Sequence, residues 1–500
     1  MNNPFSLHCN PVIRFLQKNP KDITLDDIIR YVGENGIKMI NFMYPAGDGR
    51  LKTLNFVIND LSYLRTILTL GERVDGSSLF DFVNAGSSDL YVVPRYRTVF
   101  VDPISEIPTL TFLCSYFNKD GKPLEGAPER TLQRACELLT EDTGLALQAM
   151  GELEYYVISQ DTGNFAATDQ KGYHESAPFA KHNEFRTRCM MAIAATGAKI
   201  KYGHSEVGNF TLADKIYEQN EIEFLPVDAC DAADQLMVAK WIIRNLAAKE
   251  NLNVTFAPKI TVGKAGSGLH IHMRLLDKNG KSVMLEDGKL SDTAKRAIGG
   301  LMLMAPALTA FGNRNPTSYF RLVPHQESPT NICWGDRNRS VLVRVPLGWT
   351  SDSDMCAVAN PGSHTPDDMD ASRKQTVEIR NADGSANIYQ LLAGLAVAIR
   401  YGVMHPDIME TVERTYVDVN IHARENAEKL KALSSLPASC SESADCLERS
   451  REVFEQGDVF PAATIDSIIT YLRSFDSKET QEALENTSLM LKMVQKYFHC

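Results

Sequence analysis

The sequence lacks the cysteine patterns and the long apolar runs that assign many chains to a class. Its ten cysteines form no CxxC pair and no paired zinc spacing, so they predict reduced thiols in a cytosolic protein. The longest apolar windows, IGGLMLMAPALTAF (298–311) and LLAGLAVAI (391–399), are shorter than the about 20 residues that span a bilayer. We therefore expect no membrane partner, and both windows are predicted to be buried helices.

Net positive charge and the usual nucleotide-binding motifs are also missing. The formal net charge of −11 argues against nucleic acid as the main partner, although a local basic pocket for phosphates is compatible with it. The sequence contains no GxxxxGK[ST] loop, and GKAGSG (263–268) is not the GxGxxG of a dinucleotide-binding turn. No serine-hydrolase elbow is convincing, so the chemistry must be sought in other residues.

The patterning that is present predicts an α+β fold in three parts. With 44% hydrophobic residues, the chain can bury a large core. Residues 1–24 are predicted to be an N-terminal extension. Residues 25–110 are predicted to form a small domain, in which IKMINFMY and LKTLNFVI flank the turn PAGDGR, a hairpin signal. Residues 111–500 are predicted to form a larger body of strands and helices that ends in a helical segment.

Three predicted strands have one apolar and one polar face, because alternate residues of a strand point to the same side. Their polar faces carry, in chain order, Glu152 and Glu154, His270 and His272, and Glu378 and Arg380. A single strand of this kind is more often an ordinary half-exposed strand of an antiparallel sheet. Three together favour a shared polar cavity, in which carboxylates repel one another unless cations compensate. Oxygen ligands with one imidazole suit Mg²⁺ or Mn²⁺ better than structural zinc.

A group of arginines follows in the last third of the chain. The group comprises Arg321, Arg337, Arg339, Arg344 and Arg380. Guanidinium groups match the oxygens of phosphates and carboxylates, but solvated surface arginines are the ordinary alternative, above all for Arg337. Arg344 fits that alternative less well, since it interrupts the apolar stretch VLVRVP. Clustered acids and arginines together indicate metal-assisted phosphoryl transfer from a nucleotide to an acid.

The order and spacing of several motifs resemble the glutamine synthetase family. The motifs are VDGSSLFDF, GELEYYVI, FAPKITVGKAGSGLHIHM, NPTSYFRLVPHQESP, RNRSVLVRVP and VEIRNADGSANIY, and the resemblance covers about residues 25–475. It implies a small β-grasp-like N-terminal domain and a large catalytic domain whose antiparallel sheet lines the active site. It also implies a cytoplasmic homo-oligomer, a double ring such as a dodecamer, with active sites between subunits.

The resemblance implies the family's reaction and cofactors. ATP-dependent ligation of ammonia to the γ-carboxylate of L-glutamate would proceed through γ-glutamyl phosphate, with two or more Mg²⁺ or Mn²⁺ ions per site. Glu154, Glu206 and Glu221 match one metal position. A second metal position is matched by Glu152, His270 and Glu378. The insertion VGNFTLADKIY lies between Glu206 and Glu221, so Asp214 is an alternative to Glu221.

Substrate contacts are implied in the same way. Arg339 and Arg344 would hold the ATP phosphates, and His272 would contact the nucleotide. Arg321 and Arg380 would hold the glutamate carboxylate and the transferring phosphate, with Gly266 giving the substrate close access to the backbone.

The ammonium pocket and the flap complete the implied site. Asp75 of the adjacent subunit would bind ammonium and take its proton, and Ser78, Tyr173 and Glu206 would form the rest of that pocket. Glu327 matches the flap glutamate that closes over the acyl phosphate and keeps water out.

The chain departs from the family pattern where the amino acid and the adenine are recognised. Ala265 replaces an asparagine, Thr376 an arginine, and His325 and Gln326 a glycine and a tyrosine beside the flap glutamate. These changes leave open a related γ-glutamyl ligase for another amine or acid, or a non-catalytic ring protein. The retained ammonium pocket favours ammonia, and the retained metal ligands argue against a non-catalytic protein.

Overall fold

The computed structural model describes residues 3–323, 328–348, 353–366, 369, 374–421 and 423–500. Its N-terminal part is a six-stranded sheet flanked by short helices, with spatial order β2-β1-β6-β4-β3 and β5 paired to β6. The strands are β1 Met39–Pro45, β2 Leu51–Val57, β3 Glu72–Asp75, β4 Asp89–Pro94, β5 Phe100–Val101 and β6 Thr109–Phe117. The helices are α1 Pro11–Leu16, α2 Leu25–Glu34 and α3 Leu61–Leu70.

The predicted hairpin at PAGDGR is confirmed, since β1 and β2 pair in antiparallel register from Met39↔Val57 to Pro45↔Leu51. Gly49 in this turn has φ of 74°, a conformation that a residue with a Cβ adopts at a cost. Strand β6 of the small sheet includes residue 110, where the small domain is predicted to end. The two boundaries between the three predicted parts stay a prediction.

The larger part is built on a nine-stranded sheet with spatial order β15-β16-β17-β12-β7-β9-β8, in which β10 and β11 also pair with β7. Its neighbouring strands are antiparallel, except that β15 and β16 are parallel. The strands are β7 Ala146–Gln160, β8 Ile200–Leu212, β9 Lys215–Phe224, β10 Val227–Asp228, β11 Asn253–Thr255, β12 Leu269–Leu276, β15 Trp334–Asp336, β16 Val343–Val345 and β17 Val377–Ile379. A separate small hairpin consists of β13 Leu285–Glu286 and β14 Lys289–Leu290.

Helices cover one side of this sheet and form the C-terminal end. They are α4 Pro128–Thr143, α5 Asn183–Ala195, α6 Ala229–Lys249, α7 Asp292–Gly312, α8 Ser318–Arg321, α9 Met355–Ala359, α10 Ile388–Met404, α11 Ile408–Thr415, α12 Ala427–Ala432, α13 Cys440–Arg449, α14 Arg451–Glu455, α15 Ala462–Arg473, α16 Ser477–Glu485 and α17 Thr487–Lys496. The predicted small α+β domain and the larger α+β domain with an antiparallel sheet are confirmed.

The two apolar windows lie in α7 and α10, which are buried along most of their length, as predicted. No helix in the described part of the chain is long and apolar enough to cross a bilayer. All ten cysteines carry free thiols.

The main core forms where α4, α6, α7 and α10 pack together under the sheet.

The close packing of α7 on α10 depends on two glycines, Gly300 and Gly402. A Cβ added to Gly300 would overlap the carbonyl oxygen of Ala398 and approach Gly402 to 2.8 Å. Because both neighbours are backbone atoms, the helices cannot relieve the overlap by turning a side chain.

Replacement of Gly300 by Ala is expected to lower the free energy of unfolding by about 1–3 kcal/mol, because the two helices must separate. Gly33→Ala is the matched control, since it lies in α2 with no heavy atom within 4 Å of an added Cβ. It should stabilise the chain slightly, by up to about 1 kcal/mol. Thermal unfolding of both variants tests this, and an unchanged midpoint for Gly300→Ala would contradict the packing argument.

Candidate active site

A cavity of about 1060 Å³ opens on the polar face of the large sheet. It brings together most of the side chains that the sequence singled out, from six strands and the loops beside them. The predicted site residues that line it are Glu152, Glu154, Tyr173, Glu206, Glu221, Gly266, His270, His272, Arg321, Arg339, Arg344, Glu378 and Arg380. The alternation along each strand therefore identified a shared cavity.

Strand register explains why these side chains meet. The strand β7 lies between β12 and β9, with Glu152 opposite His270 and Glu154 opposite Glu221. On the other side of β12, His272 lies opposite Glu378 of β17. Directly paired residues of an antiparallel sheet have neighbouring side chains on the same face.

Glu152, Glu378 and the two histidines form the first candidate metal site. Nδ1 of His270 lies 2.8 Å from Oε2 of Glu152 and 3.4 Å from Oε1 of Glu378. Nε2 of His272 lies 2.7 Å from Oε1 of Glu152, and ligand atoms of Glu152, His272 and Glu378 all lie within 4.8 Å of one another. Glu152, His272 and Glu378 could thus hold one ion, and His270 contacts the same two carboxylates.

Charge pairing holds this first cluster together. Burial by itself raises the pKa of Glu152. The adjacent His272 and His270 lower it by more than burial raises it, so the pKa lies well below the ordinary value. Burial lowers the pKa of His272, whereas Glu152 and Glu378 raise it to a net value above normal. Nδ1 of His272 lies 2.9 Å from Oγ1 of Thr376, a contact that turns Nε2 toward Glu152.

Glu154, Glu206 and Glu221 line the same cavity and are called the second cluster; His204 lies 3.9 Å from Oε1 of Glu206 and 3.6 Å from Oε1 of Glu221. Burial, followed by repulsion from Glu154 and Glu152, raises the pKa of Glu206 to about 8. Burial and the neighbouring carboxylates, with Glu152 first among them, raise the pKa of Glu221 well above its ordinary value. Carboxylates in this state are a strong site for a cation, because a bound cation removes the repulsion. Oxygen donors with imidazole fit Mg²⁺ or Mn²⁺.

The glycine-rich turn before β12 fixes the orientation of Glu154. The backbone N–H of Gly268 donates to Oε2 of Glu154 at 2.7 Å, and Nε2 of Gln219 donates to the same oxygen at 3.1 Å. A Cβ on Gly268 would lie 2.5 Å from Nη2 of Arg321, so the turn and the arginine can be this close only with glycine.

The structure places Glu221, not Asp214, at the second cluster. Asp214 lies in the exposed turn between β8 and β9, where its side chain accepts a hydrogen bond from Gln160 at 2.9 Å. The extra residues in the sequence lengthen the β8–β9 hairpin at its far end. Glu221 stays opposite Glu154 in the register and is 4% exposed.

The arginines border the acids and compensate part of their charge. Nη1 of Arg344 lies 3.0 Å from Oε2 of Glu378, and Nε of Arg380 lies 3.1 Å from its Oε1. Arg380 also donates to the carbonyl oxygen of Arg339. Arg321 donates to the carbonyl oxygen of Asn381 at 2.9 Å, and its Nη2 lies 3.5 Å from Nε2 of His270.

The cavity also contains residues that the sequence analysis missed. Glu223 is 5% exposed, and its carboxylate lies 2.7 Å from Nζ of Lys201. His204, Glu221 and Glu223 each offer a ligand atom within 4.8 Å of the others. The alternation that revealed Glu152 and Glu154 continues in NEIEF and could have indicated Glu223.

The predicted ammonium pocket is divided between two regions of the chain. Tyr173 lines the cavity, and its ring stacks on His174 at 4.1 Å. Asp75 and Ser78 lie in an exposed turn of the small domain and are not among the described residues that line the cavity of the same chain. Hydrogen bonds from Ser78 and then Ser77 hold the pKa of Asp75 well below normal. Glu327, His325 and Gln326 lie outside the described residues.

Replacement of Glu221 by Gln is expected to weaken Mn²⁺ binding by at least about tenfold, because a carboxylate of the second cluster is lost. The matched substitution Asp214→Asn should leave the affinity unchanged, since Asp214 lies in an exposed turn. The spectroscopic signal of free Mn²⁺ in electron paramagnetic resonance titrations measures both affinities. Weaker binding in Asp214→Asn with normal binding in Glu221→Gln would reverse the assignment.

Comparison with known proteins supports the family resemblance over almost the whole chain. Residues 36–119 match the family model for the glutamine synthetase β-grasp domain, and residues 125–491 match the model for the glutamine synthetase catalytic domain. The chain is 28% identical over 475 residues to a glutamine synthetase of Methanococcus maripaludis, covering 91% of this chain and 98% of the relative.

Solved structures share the fold at lower identity. A Plasmodium falciparum glutamine synthetase superimposes with a TM-score of 0.74 at 19% identity, covering 92% of this chain and 98% of its own. A GmaS/ADP complex superimposes with a TM-score of 0.70 at 20% identity, covering 91% of this chain and 99% of its own. The two matched domains, together with a cavity that combines carboxylates, histidines and arginines, show that this chain belongs to the glutamine synthetase family.

Proposed function

We propose that the protein joins ammonia to the γ-carboxylate of L-glutamate at the expense of ATP, giving glutamine, ADP and phosphate. The observation that supports this most directly is the single cavity in which two acidic clusters lie beside several guanidinium groups. A carboxylate that attacks a triphosphate is repelled by it, so the reaction needs a concentration of cations at this place.

The first step transfers the γ-phosphoryl group to glutamate. Glu152, His270 and Glu378 would hold one Mg²⁺ or Mn²⁺ ion, and Glu154, Glu206 and Glu221 another. These ions would offset negative charge on the phosphates. Beside them, Arg339 and Arg344 would bind the phosphate chain, with His272 near the nucleotide. Arg321 and Arg380 would orient the acid and the transferring group, and Gly266 would let the substrate approach the backbone.

The second step needs neutral ammonia, since ammonium has no lone pair. Asp75 keeps its negative charge because hydrogen bonds lower its pKa, so it can attract ammonium. It would take one proton from ammonium, and the ammonia formed would then attack the acyl phosphate and displace phosphate. Ser78, Tyr173 and Glu206 would complete this pocket. Asp75 and Ser78 are exposed on the small domain, which supports a homo-oligomer, a double ring such as a dodecamer, in which a neighbouring subunit supplies both. Glu327 remains a prediction as the flap residue.

A related γ-glutamyl ligase that uses a larger amine is the second candidate. The observation in its favour is Glu223, an additional buried carboxylate on the cavity wall, which could pair with an organic ammonium group in place of Lys201. Ala265 also indicates altered recognition of the amino-acid substrate, because it lacks the side-chain amide of the asparagine in the family pattern. Its backbone is instead fixed by Tyr156, whose hydroxyl donates to the Ala265 carbonyl oxygen at 2.8 Å.

Purified protein with Mg²⁺ or Mn²⁺ is expected to release ADP only when glutamate and ammonium are both present. A coupled assay for ADP with a panel of amines and acids measures this. Equal release with a polyamine or ethanolamine in place of ammonium would refute the ammonia reaction and favour the second candidate.

The variant Asp75→Asn tests the assigned base within the same assay. It should lower amide formation at least about a hundredfold and leave ATP affinity unchanged. Asp120→Asn is its control, because Asp120 lies in another exposed turn of the N-terminal region. Unchanged turnover in Asp75→Asn would refute the role of Asp75.

A further inference from the structure

We infer that a second cavity, here called the junction cavity, binds a small organic anion with an apolar body. It has a volume of about 550 Å³, within the range of small-molecule pockets. It lies where the N-terminal segment, the small domain and α6 meet. Its lining residues include none that line the candidate active site, so it is a separate site.

One wall of the junction cavity is apolar. Ile13 of α1, Phe100 of β5 and Val238 of α6 contribute side chains that are 2%, 1% and 3% exposed, and the half-buried Phe5 lies beside them. Three parts of the chain thus supply one hydrophobic surface. A ligand that covers it gains free energy in proportion to its own apolar area.

Most of the charged residues that line the cavity are already paired. Asp234 accepts from Arg95 at 2.8 Å, and Asp231 forms an ion pair with Arg97. Lys21 pairs with Asp228 at 3.0 Å. These pairs leave little charge for a ligand to neutralise.

Lys199 and Gln235 remain as donors without such partners. Among the described residues, Lys199 forms no ion pair with a carboxylate; its ammonium group instead lies 3.2 Å from Nε2 of His8. Gln235 is 7% exposed, and its Oε1 accepts from the backbone N–H of Lys199 at 3.1 Å, whereas its Nε2 has no acceptor. Asp22, which also lines the cavity, and Lys199 are both exposed, so solvent screens the charge of each.

An exposed cation that lines the same cavity as a buried amide donor without an acceptor is suited to a carboxylate group. The hydrophobic wall is suited to an aromatic or branched aliphatic body. Together they define the ligand class as small apolar carboxylates.

The junction cavity is in direct contact with elements that support the active site. Val227 of β10 lines the cavity and pairs with Ala149 of β7. On α6, Leu236 packs so closely on Gly151 that an added Cβ there would lie 2.8 Å from it. Gly151 immediately precedes Glu152 on β7, so an occupant of the junction cavity contacts the support of a candidate metal ligand. This position suits a regulatory ligand.

Phenylacetate is a suitable probe, and phenylacetamide is its uncharged match. Calorimetric titration of the full-length protein should show saturable binding of phenylacetate and weaker binding of phenylacetamide. Lys199→Gln should weaken phenylacetate binding about tenfold by removing the cation. Ala198→Leu should weaken it at least as much, because the added side chain occupies the cavity that Ala198 lines.

Lys215→Gln serves as the control for loss of an exposed lysine, since it lies at the start of β9 and does not line this cavity. Thermal unfolding confirms that each variant is folded before titration. Absence of saturable binding, equal affinity for the two probes, or wild-type affinity in Lys199→Gln or Ala198→Leu would overturn the proposal. Because only binding is measured, the result does not depend on the reaction proposed for the active site.

Discussion

Repulsion among buried carboxylates is the constraint on which the active-site cavity depends. Glu152, Glu154, Glu206 and Glu221 share one cavity, and burial raises the pKa of two of them, with Glu206 reaching about 8. The imidazoles beside Glu152 lower its pKa, whereas His204, 3.6 Å from Glu221 and 3.9 Å from Glu206, leaves the pKa values of those two carboxyl groups raised. Without a bound cation, this repulsion lowers the stability of the fold. The cluster therefore indicates that the functional protein binds a cation.

The sheet makes this crowding unavoidable. Because β7 is central, residues of β9 and β12 that face Glu152 and Glu154 are fixed by register and cannot move apart independently. The glycine turn before β12 adds a backbone donor to Glu154 at 2.7 Å and leaves space for Arg321. Helix α6 supports β7 from below through Leu236 and Gly151, and its other face borders the junction cavity. Both sites therefore depend on the same helix and strand.

Alternation of polar and apolar residues was enough to predict the polar faces of β7, β12 and β17 from sequence. It could not predict which strands are neighbours, since pairing is decided by tertiary packing. For that reason the choice between Glu221 and Asp214 stayed open until the register placed Glu221 opposite Glu154. Lys201 and His204 were missed because β8 is irregular, with register shifts against β9 that hide its alternation. The junction cavity has no sequence signal, because its walls come from four separated parts of the chain.

The most direct test of this account is calorimetric titration of the protein with Mn²⁺ at pH 6.5, 7.5 and 8.5, each in two buffers of different ionisation enthalpy. Glu206 has a pKa of about 8 and is largely protonated at the lowest pH, so a bound ion must displace a proton there. The account predicts saturable binding of about two ions per chain, release of protons at pH 6.5, and affinity that rises with pH. Binding that is independent of pH and releases no protons, or no saturable binding, would contradict it.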